Sequence, residues 1–146
     1  WAALADVLPI QLFSLVAMVT GLHRFSTRQA GKTAVMAAGA LVVLIAVTWA
    51  LARVVPPGVR GAVGYAPAWL SLWGLALYTL ARRHSLRWPM CAAAVIFTLS
   101  LTLRTLDAPL CAALPFGTHF LWHILNAVTL ALVIRVLVGL GRRTPE

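Results

Sequence analysis

The stretch TAVMAAGALVVLIAVTWALA, residues 33–52, runs for twenty positions without a charged side chain. A helix rises 1.5 Å per residue, so about twenty residues cross a hydrocarbon core of about 30 Å. The stretch has neighbours of the same kind. Residues 61–81, 88–103 and 108–134 are equally free of Lys, Arg, Asp and Glu. One such segment could be a buried helix of a soluble domain. Five apolar spans in 146 residues, 62% of them hydrophobic and 10% charged, would leave a soluble protein almost no polar surface. The reading is an all-α integral membrane protein with five transmembrane helices.

The breaks between the apolar runs give a map of spans over residues 6–22, 33–54, 65–81, 88–106 and 117–139, forming one membrane domain over 1–146. Pro56-Pro57-Gly58 and the segment 107–115, with Pro109 and Pro115, read as turns. Each proline removes a backbone donor and restricts the residue before it. No internal repeat and no low-complexity segment is visible.

A formal charge of +9 raises the question of nucleic acid, but the cations do not form a stripe. Arg24, Arg28 and Lys32 cluster between the first two spans, Arg82, Arg83 and Arg87 between the third and fourth, and Arg142 and Arg143 in the tail. Between the second and third spans there are Arg53 and Arg60, and between the last two none. This is the pattern of charges that fix topology and touch lipid headgroups, so no nucleic-acid partner is expected. No obligate protein partner is indicated either. Positive loops favour the cytoplasm, which puts the C-terminus there and the start of the first span, the end of the fourth and the start of the fifth on the outer side.

That outer side gathers Asp6, Arg104, Asp107, His119 and His123, whereas Arg135 lies near the other end. Ionisable groups at membrane depth are functional candidates by default. Each also has a plainer reading. Asp6 precedes Pro9 and could cap its helix. Arg104 and Asp107, three apart, could neutralise each other. His119 could bond within the first turn of its helix. His123, one turn deeper, has fewer free backbone partners. Asn126 continues that face and could orient an imidazole or join two helices.

His119 and His123 share a helix face at i and i+4, a spacing with which two imidazoles can hold one zinc ion. The residues between them are Phe120, Leu121 and Trp122, so no glutamate of an HExxH motif is present. A general base must then come from another helix, and Asp6 and Asp107 are the candidates. Two ligands are one short of the three that a catalytic zinc site usually takes. His23 and His84 fall in loops on the opposite side. Cys91 and Cys111 sit at opposite ends of the fourth span, about 22 Å apart along a helix, too far for a disulfide.

The segments LRTLDAPLCAALPFGTHFLWHILN (103–126) and ADVLPIQLF (5–13) together resemble the alkaline ceramidase branch of a superfamily of seven-helix membrane hydrolases. Adiponectin-receptor and haemolysin-III-like proteins belong to the same superfamily. The resemblance implies Zn2+ held by His119, His123 and a third histidine upstream of Trp1, with Asp6 as the carboxylate beside the attacking water. Arg104, Asp107 and Cys111 match an Arg-x-x-Asp-x-x-x-Cys pattern before the last helix. The five spans then correspond to helices three to seven of a seven-helix bundle. The implied function is zinc-dependent hydrolysis of a lipid amide, ceramide to sphingoid base and fatty acid, in a bacterial inner membrane near its outer leaflet. Two other readings stay open: a non-catalytic zinc-containing receptor or haemolysin-III-like protein, and a scaffold or transporter without metal.

Overall fold

A computed structural model describes residues 2–24, 29–56, 60–110 and 117–141; for residues 2–7, 60, 108, 140 and 141 it describes the backbone alone. Every regular element among the described residues is helical. In chain order these are α1 (Ala2–Leu22), α2 (Ala30–Val54), α3 (Arg60–Val63), α4 (Ala66–Ala81), α5 (Arg87–Leu110) and α6 (His119–Gly141). Among the described residues, three helices are long and apolar enough to cross a membrane: Ala30–Val54, Arg87–Asp107 and His119–Gly139. The apolar stretches Leu8–Leu22 and Ala66–Ala81 are shorter.

Several boundaries differ from the sequence reading. α1 begins at Ala2, so the backbone places Asp6 inside the helix and not at its cap. α5 continues past Asp107 through Pro109 to Leu110, where a turn was expected. A proline so close to a helix end removes a single bond from the last turn, a cost that the packing of α5 offsets. Residues 111–116 of that expected turn lie outside the described residues. The loop after α2 holds the four-residue helix α3. α2 itself stops where expected: Val55 precedes Pro56 and takes an extended conformation with ψ 134°.

The helices alternate in direction. On α1, Gln11 donates from Nε2 to the Gly64 carbonyl, just before α4, and Ser71 on α4 donates to the Met18 sulfur on α1 at 3.7 Å. α1 and α4 therefore run parallel, in register. α5 lies antiparallel to both α4 and α6: Thr98 meets Trp69 and Trp73 while Arg104 lies over Tyr65, and Ser100 meets Trp122 and Asn126 while Asp107 meets Thr118. The core sits between α1, α4, α5 and α6. It contains Tyr65, Leu72, Met90, Phe97, Trp122, Val133 and Val136, with Ala68, Ala76, Ala93 and Ala94 allowing close approach. Small residues at helix crossings are the usual route to tight packing where lipid removes the hydrophobic drive.

Polar clips lock these crossings. Thr98 Oγ1 accepts from Trp69 Nε1 at 2.9 Å and Trp73 Nε1 at 3.1 Å, while donating its own hydrogen to the Ala94 carbonyl at 2.8 Å. Its donor and both lone pairs are then in use. Ser100, fully buried, has one hydrogen shared between the Trp122 carbonyl at 3.0 Å and Asn126 Oδ1 at 2.8 Å. α2 stands apart from this core, with most of its apolar side chains exposed.

Candidate metal half-site at one end of the bundle

The start of α6 is built by α5. Gly117 has φ 59°, the left-handed region where a side chain is strained, and it turns the chain into the helix. Thr118 then donates from its backbone N–H to Asp107 Oδ1 at 2.5 Å, and His119 N–H donates to the same oxygen at 2.9 Å. The Thr118 hydroxyl reaches the Leu103 carbonyl at 2.8 Å and Asp107 Oδ1 at 3.3 Å. Asp107 thus does for α6 what a capping side chain normally does, from the preceding helix. Its negative charge also faces the positive end of the α6 dipole.

This corrects the expected pairing of Asp107 with Arg104. The carboxylate closes on α6, and its second oxygen lies 3.8 Å from His119 Nδ1. The Arg104 guanidinium instead lies over two rings, 4.9 Å from the centre of Tyr65 and 5.2 Å from that of Trp122. Those distances are within the range of cation–π attraction. Tyr65 and Trp122 meet edge to face at 6.1 Å.

His119 and His123 stand one turn apart on the exposed side of α6, their ring centres 4.9 Å apart and their planes at 80°. Trp122 lies against both, 5.1 Å from His119 and 4.4 Å from His123. The indole is 1% exposed, and its Nε1 has no hydrogen-bond partner among the described residues. The His119 side chain is 50% exposed and that of Asp107 23%. Two imidazoles on one tetrahedral zinc ion, with Zn–N about 2.0 Å, have ring centres about 5 Å apart. The observed pair fits that separation. Asp107, next to His119 on the side of Nδ1, occupies the place of a carboxylate that orients a ligating imidazole.

Among the described residues, no third His, Cys, Asp or Glu joins this pair in a group able to hold a metal. A catalytic zinc site usually takes three protein ligands, of which this pair could supply two. The α1 backbone brings Asp6 to the same end of the bundle, since Gln11, further along that helix, already reaches Gly64 beside Tyr65. Its side chain and Cys111 lie outside the described residues. Asn126 is 8% exposed, and its Oδ1 accepts from Ser100, which joins α5 to α6. Ser100, Thr98 and Thr118 were missed from sequence. Thr118 alone left a signal, a capping residue type directly before the apolar run.

No protein-family model, no curated protein and no solved structure matches the chain.

Proposed function

We propose that this chain is the zinc-binding C-terminal part of a membrane amidase that hydrolyses a lipid amide, ceramide being the expected substrate class. The observation that supports the reading is the His119–His123 pair on α6, its ring centres 4.9 Å apart and His119 beside the Asp107 carboxylate. Resemblance to alkaline ceramidases supplies the rest: a third histidine from outside this chain and Asp6 as the proton carrier. All five apolar helices would then span the membrane, the C-terminus facing the cytoplasm and the histidines the outer leaflet of a bacterial inner membrane.

In this reading His119 and His123 hold the metal, and Asp107 fixes the start of α6 and the His119 ring. Zinc, when bound, supplies polarisation of the amide carbonyl and a more acidic water. Asp6 takes a proton from the attacking water and delivers it to the departing amine nitrogen as the carbon–nitrogen bond breaks. The products are a fatty acid and a sphingoid base. Phe120, Ile124 and Val128 are exposed along α6 beside the histidines, an apolar approach for a substrate arriving from the bilayer. The test is release of free fatty acid from ceramide by the intact protein, abolished by a zinc chelator and restored by zinc.

The contacts of Trp122 with His119 at 5.1 Å and His123 at 4.4 Å favour a second reading, a scaffold or transporter in which the histidines only pack. A purified intact protein free of zinc after growth in zinc-replete medium would select it. A zinc-loaded protein that leaves ceramide intact would select the non-catalytic receptor reading.

A further inference from the structure

α2 is held away from α1 and α4 by two adjoining cavities. One, of about 350 Å³, is lined by residues that include Gly21, Met36, Val43, Gly74 and Tyr78. The other, of about 260 Å³, lies between Leu8, Leu15, Leu41, Ile45 and Pro67. Met18, Leu44 and Ser71 line both, so the two form one groove. From Leu8 to Leu22 it follows α1 for about 21 Å at 1.5 Å per residue. That is longer than the roughly 15 Å of one leaflet's hydrocarbon. The polar side chains in its walls are already engaged: Gln11 with the Gly64 carbonyl, Ser14 with the Ile10 carbonyl and Ser71 with the Met18 sulfur, and Tyr78 also has a partner. An apolar, elongated groove of this kind suits a hydrocarbon chain.

One end of this groove is charged. It closes at Leu22, Met36 and Tyr78, and about one helical turn beyond these lie Arg24, Lys32 and Arg82, all exposed. Arg83 follows Arg82. His23 Nδ1 and Thr33 Oγ1, 3.1 Å apart, tie the end of α1 to the start of α2 and hold Arg24 and Lys32 in one neighbourhood. Of the chain's three acidic residues, Asp6 and Asp107 belong to the opposite end, and Glu146 lies outside the described residues. Cations at three helix ends thus lie near the mouth of an acyl-sized groove. Basic pockets of this kind between helices hold anionic headgroups.

We propose that the α1–α2–α4 groove binds an anionic phospholipid, one acyl chain filling the cavities and the headgroup phosphate resting among Arg24, Lys32 and Arg82. The lipid would then complete the packing of α2. The charged mouth lies at the other end of the bundle from the histidines, and the site does not depend on zinc.

The test uses the intact protein in mild detergent, delipidated and then supplied with phosphatidylglycerol or with phosphatidylcholine of the same acyl chains. Native mass spectrometry should show one retained phosphatidylglycerol per protein, about tenfold more populated than the phosphatidylcholine adduct. The phosphatidylglycerol complex should also melt higher. Arg24→Gln with Lys32→Gln should abolish that preference. Gly74→Leu should remove the retained lipid of either kind, because a side chain at Gly74 points into open space and meets no atom within 4 Å. Equal retention of the two lipids by the unaltered protein would overturn the proposal, as would a groove filled by a second copy of the chain or another protein segment. Should Gly74→Leu not fold, the charge variant decides alone: an unchanged preference for phosphatidylglycerol excludes the site.

Discussion

Asp107 on α5 accepts the backbone N–H of Thr118, the residue before α6, at 2.5 Å, and so ties the end of one helix to the start of the next. The same oxygen accepts from His119, which makes the position of the first histidine a property of α5 as much as of α6.

Replacing this carboxylate should separate structure from charge. Asp107→Ala removes the acceptor of two helix N–H groups and should cost about 1–2 kcal/mol, the scale of a lost N-cap. Asp107→Asn keeps an oxygen for those bonds and should cost less. Melting curves of both variants check this; equal losses would show that charge, not acceptance, is what α6 needs.

If the proposed zinc site holds, His123→Ala in the intact protein should remove most bound zinc and nearly all turnover, because it would delete one of three ligands. Metal analysis of the purified variant reads the first effect directly. Retention of one zinc per protein at unaltered affinity would exclude His123 as a ligand.

Asp6→Asn should leave the protein folded and zinc-loaded while lowering kcat by about 100-fold or more, the usual scale of general acid–base catalysis. Asp107 differs in that its carboxylate is engaged on α6. Measuring kcat and zinc content together is decisive, and a normal kcat in a zinc-loaded Asp6→Asn protein would remove Asp6 from the proton path.

Orientation is open to labelling. Single cysteines introduced at Arg82 or Arg83 should react only with reagents that enter the cytoplasm, and one introduced at Pro109 only from outside. The reverse pattern would invert the topology and leave the pairing of helices intact.

Much of this fold was legible because charge-free runs announce apolar helices without any knowledge of their partners. Lengths were less so: α4 keeps its place near 65–81 but is only 16 residues long, while α5 outlasts its proline. The histidine pair was visible from i, i+4 spacing alone. Its setting was not. Asp107 and Arg104, neighbours on one helix, looked like a pair, yet each is taken by groups far along the chain: Thr118 for the one, Tyr65 and Trp122 for the other. Thr98 and Ser100 carried no local signal, since a hydroxyl inside an apolar helix most often bonds its own backbone four residues back. Thr102 and Thr105 do only that.

The saturation of Thr98 has a mechanical side. Trp69 and Trp73 are one turn apart on α4 and both bond the same oxygen on α5. Rotating α4 about its axis swings both indoles away and loses both bonds together. Sliding α4 along α5 by one turn, about 5.4 Å, brings one indole to the place of the other and keeps one bond. The seam therefore behaves as a ratchet with one spare tooth: stiff to torsion, softer to translation, and graded in its loss.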